Sequence, residues 1–310
     1  MRARVALLAM MAAATTAAAA AGGGADVLIY CGTTREAPWS GGDRGGALGG
    51  SETNAAELAL VLRERGFSVV VSGRVVAGES EGVVYIPEDQ LRIVDGSDVP
   101  LFSHVIISRV VQQYVLKHPL VARRGVYLWV QDLYPNMSPG PTDVESVEQR
   151  LRSIAHRLTR VLALSPFHAA EMQAAFPELH KEYPQLWDWI PNAIDAQRWA
   201  KAEKAFRSDG ESKLRHRFIY TSTPERGLLR LLRLFPRIRQ ALPGATLLVA
   251  TYNQDGLNPE MRHLMEMHAD HVTFAGSLSK DDLYREILRA EVRQLHACDA
   301  CFGKRDALQR

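Results

Sequence analysis

The chain has 310 residues, 46% of them hydrophobic and 23% charged, with 37 basic and 35 acidic side chains and a formal net charge of +2. This is ordinary globular composition, enough for one large or two medium domains, and the near-neutral balance removes any global electrostatic case for a nucleic-acid partner. Three cysteines, Cys31, Cys298 and Cys301, exclude a disulfide framework, so stability must come from packed apolar layers.

Residues 1–24 open on the basic Met1-Arg2-Ala3-Arg4, continue through an alanine-rich apolar run from Val5 to Ala21 and reach Gly22-Gly23-Gly24, with no acidic residue before Asp26. A basic start, an apolar body and small residues describe a secretory signal peptide. An uncleaved membrane-associating anchor or an arginine-bearing organelle transit peptide shares the pattern. Alanine is weakly apolar, which favours a cleaved signal over a stable span, and no other stretch approaches spanning length. The expectation is a mature chain in the secretory pathway, ER/Golgi lumen or secreted, without a transmembrane helix.

Structure is expected from Asp26. Val27 to Cys31 is a continuous apolar run of strand length, as in a parallel sheet buried on both faces. A glycine-rich loop from Gly32 to Gly50 follows. Ser51 to Arg65 reads as a helix, with Ala55, Leu58, Ala59 and Leu62 on one face, Ser51 or Asn54 as cap and Gly66 as stop. A strand from Phe67 to Ser72 completes a βαβ unit, which implies a right-handed crossover. Further strands are expected at His104–Ser108, Tyr127–Val130 and Val161–Leu164. Helices are expected over Val144–Arg160 and after the Ser165-Pro166 start signal. Tyr183 to Asp195 reads as a domain exit, and Ala200 to His216 as a linker or an exposed helix.

A second alternating block starts at Arg217. It offers a strand at Phe218–Tyr220, a loop over Thr221–Arg226 and a helix over Gly227–Ala241 bent at Pro236. Strands at Thr246–Thr251 and His271–Ala275 and a helix opened by Ser279 follow. The arginines from Arg226 to Arg239, separated by leucines at helical spacing, read as the solvated face of an amphipathic helix rather than an RNA-binding surface. Two blocks of βα units predict an α/β protein of two doubly wound Rossmann-like domains, the second incomplete, with ligands at the carboxyl ends of strands. The division expected is a targeting segment at 1–24, a first domain at 25–195, a linker at 196–216, a partial second domain at 217–290 and a tail at 291–310.

Several segments, in order, carry a resemblance. Gly49-Gly50-Ser51-Glu52 with its helix and Gly66, Ser165-Pro166-Phe167-His168, and Ile190-Pro191-Asn192-Ala193-Ile194-Asp195 are the first three. Tyr220 to Leu228 and Val272 to Leu278, followed by Leu283-Tyr284, complete the set. Together they resemble glycosyltransferase family 4. The resemblance implies a GT-B fold, with the acceptor (a glycan, lipid or protein) on the first half and the donor nucleotide sugar on the second. The implied reaction is transfer of a hexosyl-type group from a nucleotide diphosphate sugar with retention, without a permanently bound cofactor or a metal ion. It places donor contacts at Gly49, Gly50, Ser222, Arg226, Gly227, Gly276 and Leu278.

Each of these residues has a plainer reading beside the functional one. Gly49 and Gly50 precede a helix, where bare N–H groups attract phosphate, but a tight strand-to-helix turn also uses glycine. Arg226 beside Gly227 can hold a departing diphosphate, or simply face solvent. Members of the family often have lysine there and an arginine five residues earlier, where this chain has Thr221. Asp132, in Trp129-Val130-Gln131-Asp132, lies where the family often has a histidine; it can bind sugar hydroxyls or act as a base, or cap the next segment. His168, Asn192 and Asp195 read as helix-turn and hinge chemistry.

The resemblance lapses after Ala290. Glu291 to Cys301 contains no four-residue apolar run and no Glu-x7-Glu pair, so the expectation is a C-terminally truncated second domain that stops near Glu291. His296, Cys298 and Cys301 lack an evident fourth zinc ligand. Two other functions compete with transfer: a non-catalytic nucleotide- or sugar-binding relative, and an unrelated two-lobed exported binding protein.

Overall fold

The computed structural model describes residues 25–32, 38–45, 48–94, 99–109, 115, 120–132, 144–192, 195–251 and 256–293. The chain divides into two compact units, Met1–Arg44 with Gly49–Ala193, and Gly45–Leu48 with Ile194–Arg310. The targeting segment and the His296, Cys298 and Cys301 trio lie outside the described residues.

In the first unit the strands are β1 (Val27–Tyr30), β2 (Val69–Gly73), β3 (Gly78–Ser80), β4 (Val83–Pro87), β5 (His104–Ser108), β6 (Gly125–Trp129), β7 (Arg160–Ala163) and β8 (Trp187–Trp189). They form one sheet in the order β3-β4-β2-β1-β5-β6-β7-β8, parallel throughout except that β3 runs back along β4. The runs Val-Leu-Ile-Tyr and His-Val-Ile-Ile-Ser are buried at every position, as a sheet covered on both faces requires. Leu28, Tyr30, Val105, Ile107 and Leu128 meet Val147, Leu151 and Ile154 of helix α2 (Val144–Ala155) on one face. Met172 of α3 (Pro166–Ala175) and Leu179 of α4 (Pro177–Glu182) join the same cluster. Helix α1 (Gly50–Glu64) packs against β2. It stops in a Schellman motif: Phe67 N–H bonds Leu62 (3.1 Å), Gly66 N–H bonds Arg63 (2.9 Å), and Gly66 has φ 89°.

The second unit holds α5 (Ala196–Ser208), β9 (Leu214–Tyr220), α6 (Leu228–Ala241), β10 (Thr246–Ala250), α7 (Pro259–Met267), β11 (Val272–Gly276), α8 (Lys280–Arg289) and β12 (Ala290–Arg293). Its sheet is parallel in the order β11-β10-β9-β12. Leu228, Leu232 and Phe235 of α6 and Met261 and Met265 of α7 bury one face against Phe218, Tyr220, Leu247 and Val249. Ile219, Leu248 and Ala290 line the other, with Ile287 of α8 beside them.

Four features differ from the sequence reading. The hairpin of β3 and β4 was not anticipated; the exposed residues of β3 give it no apolar signature. Trp187–Trp189, read as part of a domain exit, is a strand held by its pairing to β7. The helix expected to run to Arg160 ends at Ala155, and Arg160 begins β7. Most consequential is β12. The second block was expected to hold only three strands, but Ala290–Arg293 is a fourth, registered as Val292 to Phe218 beside β9. Its Ala-Glu-Val-Arg sequence has little intrinsic strand signal, and the neighbouring strand imposes the conformation.

Ala196–Ser208, within the stretch read as linker or exposed helix, is helical and capped by Asp195, whose carboxylate accepts from Gln197 and Arg198 N–H. Trp199 meets Tyr284 of α8 edge to face at 5.3 Å. Just beyond α5, Glu211 accepts hydrogen bonds from Arg289 Nε (2.7 Å) and Arg285 Nε (2.6 Å), and Arg285 also reaches Asp209 (2.7 Å).

Two consequences for stability follow. The Arg289 and Arg285 hydrogen bonds hold the Glu211 carboxyl down to about 2, against 4.5 for an ordinary glutamate. A depressed acid contributes stability that is full above the unfolded value and lost as pH falls toward the folded one. Glu211→Gln is therefore expected to lower the melting midpoint at neutral pH, with the gap to wild type narrowing below about pH 4.5. His104, in β5, is 1% exposed with both ring nitrogens unpartnered, 6.0 Å from the Tyr127 ring. Burial lowers its pKa below 6.5; Arg124 adds to this and Asp26 opposes it. The unfolded chain then takes the proton first, and stability falls as pH drops below about 6.5. His104→Leu is expected to lose less stability than wild type between about pH 7.5 and pH 5 in denaturant titrations.

Candidate functional site

In a parallel sheet every strand ends at the same edge, so the loops after the strands share one rim. In the first unit the order reverses around β1, which has β2 on one side and β5 on the other. The carboxyl ends of β1 and β5 mark this switch point, where ligands of open α/β sheets bind.

Gly49 is the N-cap of α1 and Gly50 its first residue. The expected caps are displaced: the helix starts before Ser51, no side chain caps it, and Asn54 lies one turn in. Gly49 has φ −62° and ψ 163°, a conformation open to any residue, and a Cβ on Gly50 would meet nothing within 4 Å. The turn therefore does not itself require glycine at Gly50, and the residue leaves bare backbone at a helix N-terminus.

Asp132 is bound by Arg109, whose Nε lies 2.7 Å from its Oδ2. Arg109 follows β5, and its N–H bonds Trp129 O (2.8 Å), extending the β5–β6 ladder by one residue. Its φ is 68°, a left-handed conformation that costs an L-residue about 1–2 kcal/mol and concentrates at functional positions. Arg109 Nη1 also reaches Ser51 Oγ (3.4 Å), and Ser51 donates to Glu52 (3.0 Å). Beside them Gln131 Nε2 donates to Ser108 Oγ (3.1 Å), and Asn54 Nδ2 reaches Gln131 Oε1 (3.4 Å). Asp132 is thus brought together with the first turn of α1, through Arg109. The sequence reading missed Arg109; the available signal was a charged residue directly after the apolar run His104–Ser108. Nearby, burial and then the Glu52 carboxylate push the Cys31 thiol up.

In the second unit, β9 lies at the equivalent reversal, between β10 and β12. The Tyr220 hydroxyl donates to Thr223 O (2.6 Å), which closes the loop after β9. Burial pushes that hydroxyl up to about 12, with a Ser222 hydrogen bond opposing, so it stays a donor. Ser222 is buried, Arg226 is exposed, and Arg226 N–H bonds Thr223 O (3.0 Å). Gly227 then turns the chain into α6 with φ 97° and no side-chain cap. Gly276, with φ 65°, ends β11, and its carbonyl accepts from Thr251 N–H (2.8 Å). Leu278 is half-buried just before the Ser279 cap of α8. Gly276 and Leu278 share the carboxyl rim with the Arg226 loop, two strands away from β9, or about 10 Å.

His168 is structural: it is buried, and its Nδ1 accepts from Leu164 N–H (3.1 Å). Among the described residues no group of three or more His, Cys, Asp or Glu is placed to hold a metal ion. No described helix is long and apolar enough to cross a membrane.

No protein-family model matches the chain, and no curated protein matches it. Solved structures do. HepE of Anabaena, crystallised with UDP and glucose, superposes with a TM-score of 0.53 at 16% identity over 87% of this chain and 73% of its own. The same protein with UDP-glucose gives 0.53 at 15% identity, over 86% and 72%. AviGT4, a glycosyltransferase of avilamycin A biosynthesis, gives 0.54 at 14%, over 86% and 69%. The fold is GT-B.

A GT-B chain carries a Rossmann-like sheet in each half, and here each sheet presents a distinct chemistry at its carboxyl rim. The first offers a hydrogen-bonded set of carboxylate, guanidinium, amide and hydroxyl groups. The second offers a helix N-terminus with an adjacent exposed cation.

The two glycines at helix starts are expected to behave differently. Gly227→Ala forces a left-handed alanine and should lower unfolding free energy by about 1 kcal/mol or more in urea. Gly50→Ala should leave stability unchanged or raise it by up to about 1 kcal/mol.

Proposed function

We propose that the chain is a glycosyltransferase of the family 4 type that binds a nucleotide diphosphate sugar at the loop from Ser222 to Gly227. The observation that carries this reading is the pairing of Arg226 with the uncapped start of α6 at the β9 switch point, in a fold shared with proteins crystallised with UDP and UDP-glucose. The diphosphate accepts hydrogen bonds from N–H groups of the α6 start, and Arg226 adds a permanent positive charge. As the bond from the sugar to the phosphate oxygen breaks, charge builds on the diphosphate, and the same groups stabilise it without a metal ion. Gly276 and Leu278 border the nucleotide. In the first unit, Gly49 and Gly50 leave backbone N–H groups open to a phosphate at the α1 start, and Asp132 engages sugar hydroxyls. The transfer retains anomeric configuration.

Residues 1–24 supply the signal for the secretory pathway in this reading. A second reading, binding with little turnover, is favoured by one sequence fact: Thr221 stands where members of that family often have an arginine. Both readings share the nucleotide site and separate on turnover.

Calorimetry with UDP-glucose tests the shared part. Arg226→Ala is expected to weaken binding about five- to tenfold, the worth of a charge-assisted contact at an exposed position. Equal affinity of variant and wild type would remove the assignment. Incubation with labelled UDP-glucose and mixed acceptors then separates the readings: transfer at ordinary enzyme rates supports the enzyme, and binding without transfer supports the second.

A further inference from the structure

Helix α6 stands apart from the rest of the chain in its charge. Leu228–Ala241 carries Arg230, Arg233, Arg237 and Arg239 and no acidic residue, whereas every other described α-helix contains at least one aspartate or glutamate. Four positive charges in this one helix exceed the formal +2 of the whole chain, so the remainder sums to −2. The arginines are also grouped. Arg230, Arg233 and Arg237 recur at spacings of three and four, which sets them on one side of the helix, and all three are exposed. The opposite side, Leu228, Leu232 and Phe235, is buried in the core, so the stripe faces away from the sheet.

Like charges at these spacings repel, and α6 holds them without an acid of its own. One is met from outside: Arg233 donates to Glu260 of α7 through Nε (2.8 Å) and Nη2 (2.9 Å). The other acid of α7 is Glu266, and Arg262 lies between the two. The two-helix layer therefore keeps an excess of three positive charges however its members pair with one another. Apolar side chains break the same surface. Leu234, one turn from both Arg230 and Arg237, is 42% exposed; Leu242 just past α6 is 37% exposed, and Met267 at the end of α7 is 62% exposed. Phe235, the one Phe, Tyr or Trp in the two helices, is buried. A surface for single-stranded nucleic acid sets aromatic rings among its cations to stack bases. Aliphatic side chains among arginines suit acyl chains beneath anionic headgroups instead.

We propose that the outer face of α6 is a docking surface for an anionic lipid bilayer, with Arg230 and Arg237 at the headgroup phosphates and Leu234 seated between them at the acyl boundary. Guanidinium forks bind phosphate oxygens bidentately. A few basic residues or one small apolar insertion each bind weakly and reversibly, and the two together hold. Helix α6 starts at the carboxyl rim after Gly227 and runs back along the parallel strands β9 and β10. A bilayer on its outer face therefore lies along the sheet rather than across the rim. The loop from Ser222 to Gly227 stays open to a soluble nucleotide while the unit is held at a surface. The docking needs the helix and not the donor site, so it stands apart from the transfer reading.

The test is sedimentation of the full chain with vesicles of phosphatidylcholine alone and of phosphatidylcholine with about one-third phosphatidylserine. Wild type is expected to pellet with the mixed vesicles and not with phosphatidylcholine alone, and to release as salt rises. Arg230→Gln combined with Arg237→Gln is expected to weaken that binding about tenfold or more, and the same pair changed to lysine to retain most of it. Leu234→Gln is expected to weaken it about threefold. Residues 1–24, themselves basic and apolar, are the same in every protein compared, so the differences report on α6. All the substituted side chains are exposed, and melting curves confirm folding. Equal pelleting with both vesicle types, no pelleting, or unchanged pelleting of the glutamine pair overturns the proposal. A chain that ignores the vesicles but binds single-stranded RNA through the same arginines overturns it in favour of a nucleic-acid surface.

Discussion

Both candidate sites depend on the parallel alignment of strands within each sheet. Because β1, β2, β5 and β6 point the same way, their following loops must share an edge, and residues far apart in sequence meet there. Asp132 and Ser51 are brought within reach of one Arg109 side chain by that alignment. The same rule acts in the second unit, where β9 sits between β10 and β12 and its loop falls at the reversal of strand order. Burial on both faces keeps these strands in register, so the rims inherit the rigidity of the cores.

The rims differ in how they hold charge. In the first unit the cation is committed to a carboxylate and a serine, and the chemistry is one of hydrogen bonds among fixed partners. In the second, Arg226 is exposed beside a helix start that no side chain caps. A fixed polar network suits recognition of a shape rich in hydroxyls. An exposed cation on a helix terminus suits a mobile diphosphate whose charge changes during reaction.

Most of the sheet strands were legible because their residues are apolar without interruption, as in Val27–Tyr30 and His104–Ser108. Ser165, Asp195 and Ser279 were legible as helix starts or turns because a capping oxygen has a local signature. What escaped was structure imposed by neighbours. β12 is a strand because β9 offers an open edge, and β3 is one because β4 does. Arg109 escaped for a related reason: its importance lies in a backbone angle and in two partners from other segments, none of which is written in adjacent residues. Asp132, Arg226 and the glycines were named from the resemblance, beside turns that the sequence shows.

The pairing of β12 with β9 bears on how the chain is made as well as on how it is built. Leu214 is registered to Ala290 and Phe218 to Val292, so one side of β9 finds its partner only after more than seventy further residues have been synthesised. Closing so long a loop is slow compared with forming the helices in between. During vectorial synthesis β9 can pair with β10 early, while its other edge waits. Translation speed through α7, β11 and α8 thus sets how long an apolar edge stays open to other chains.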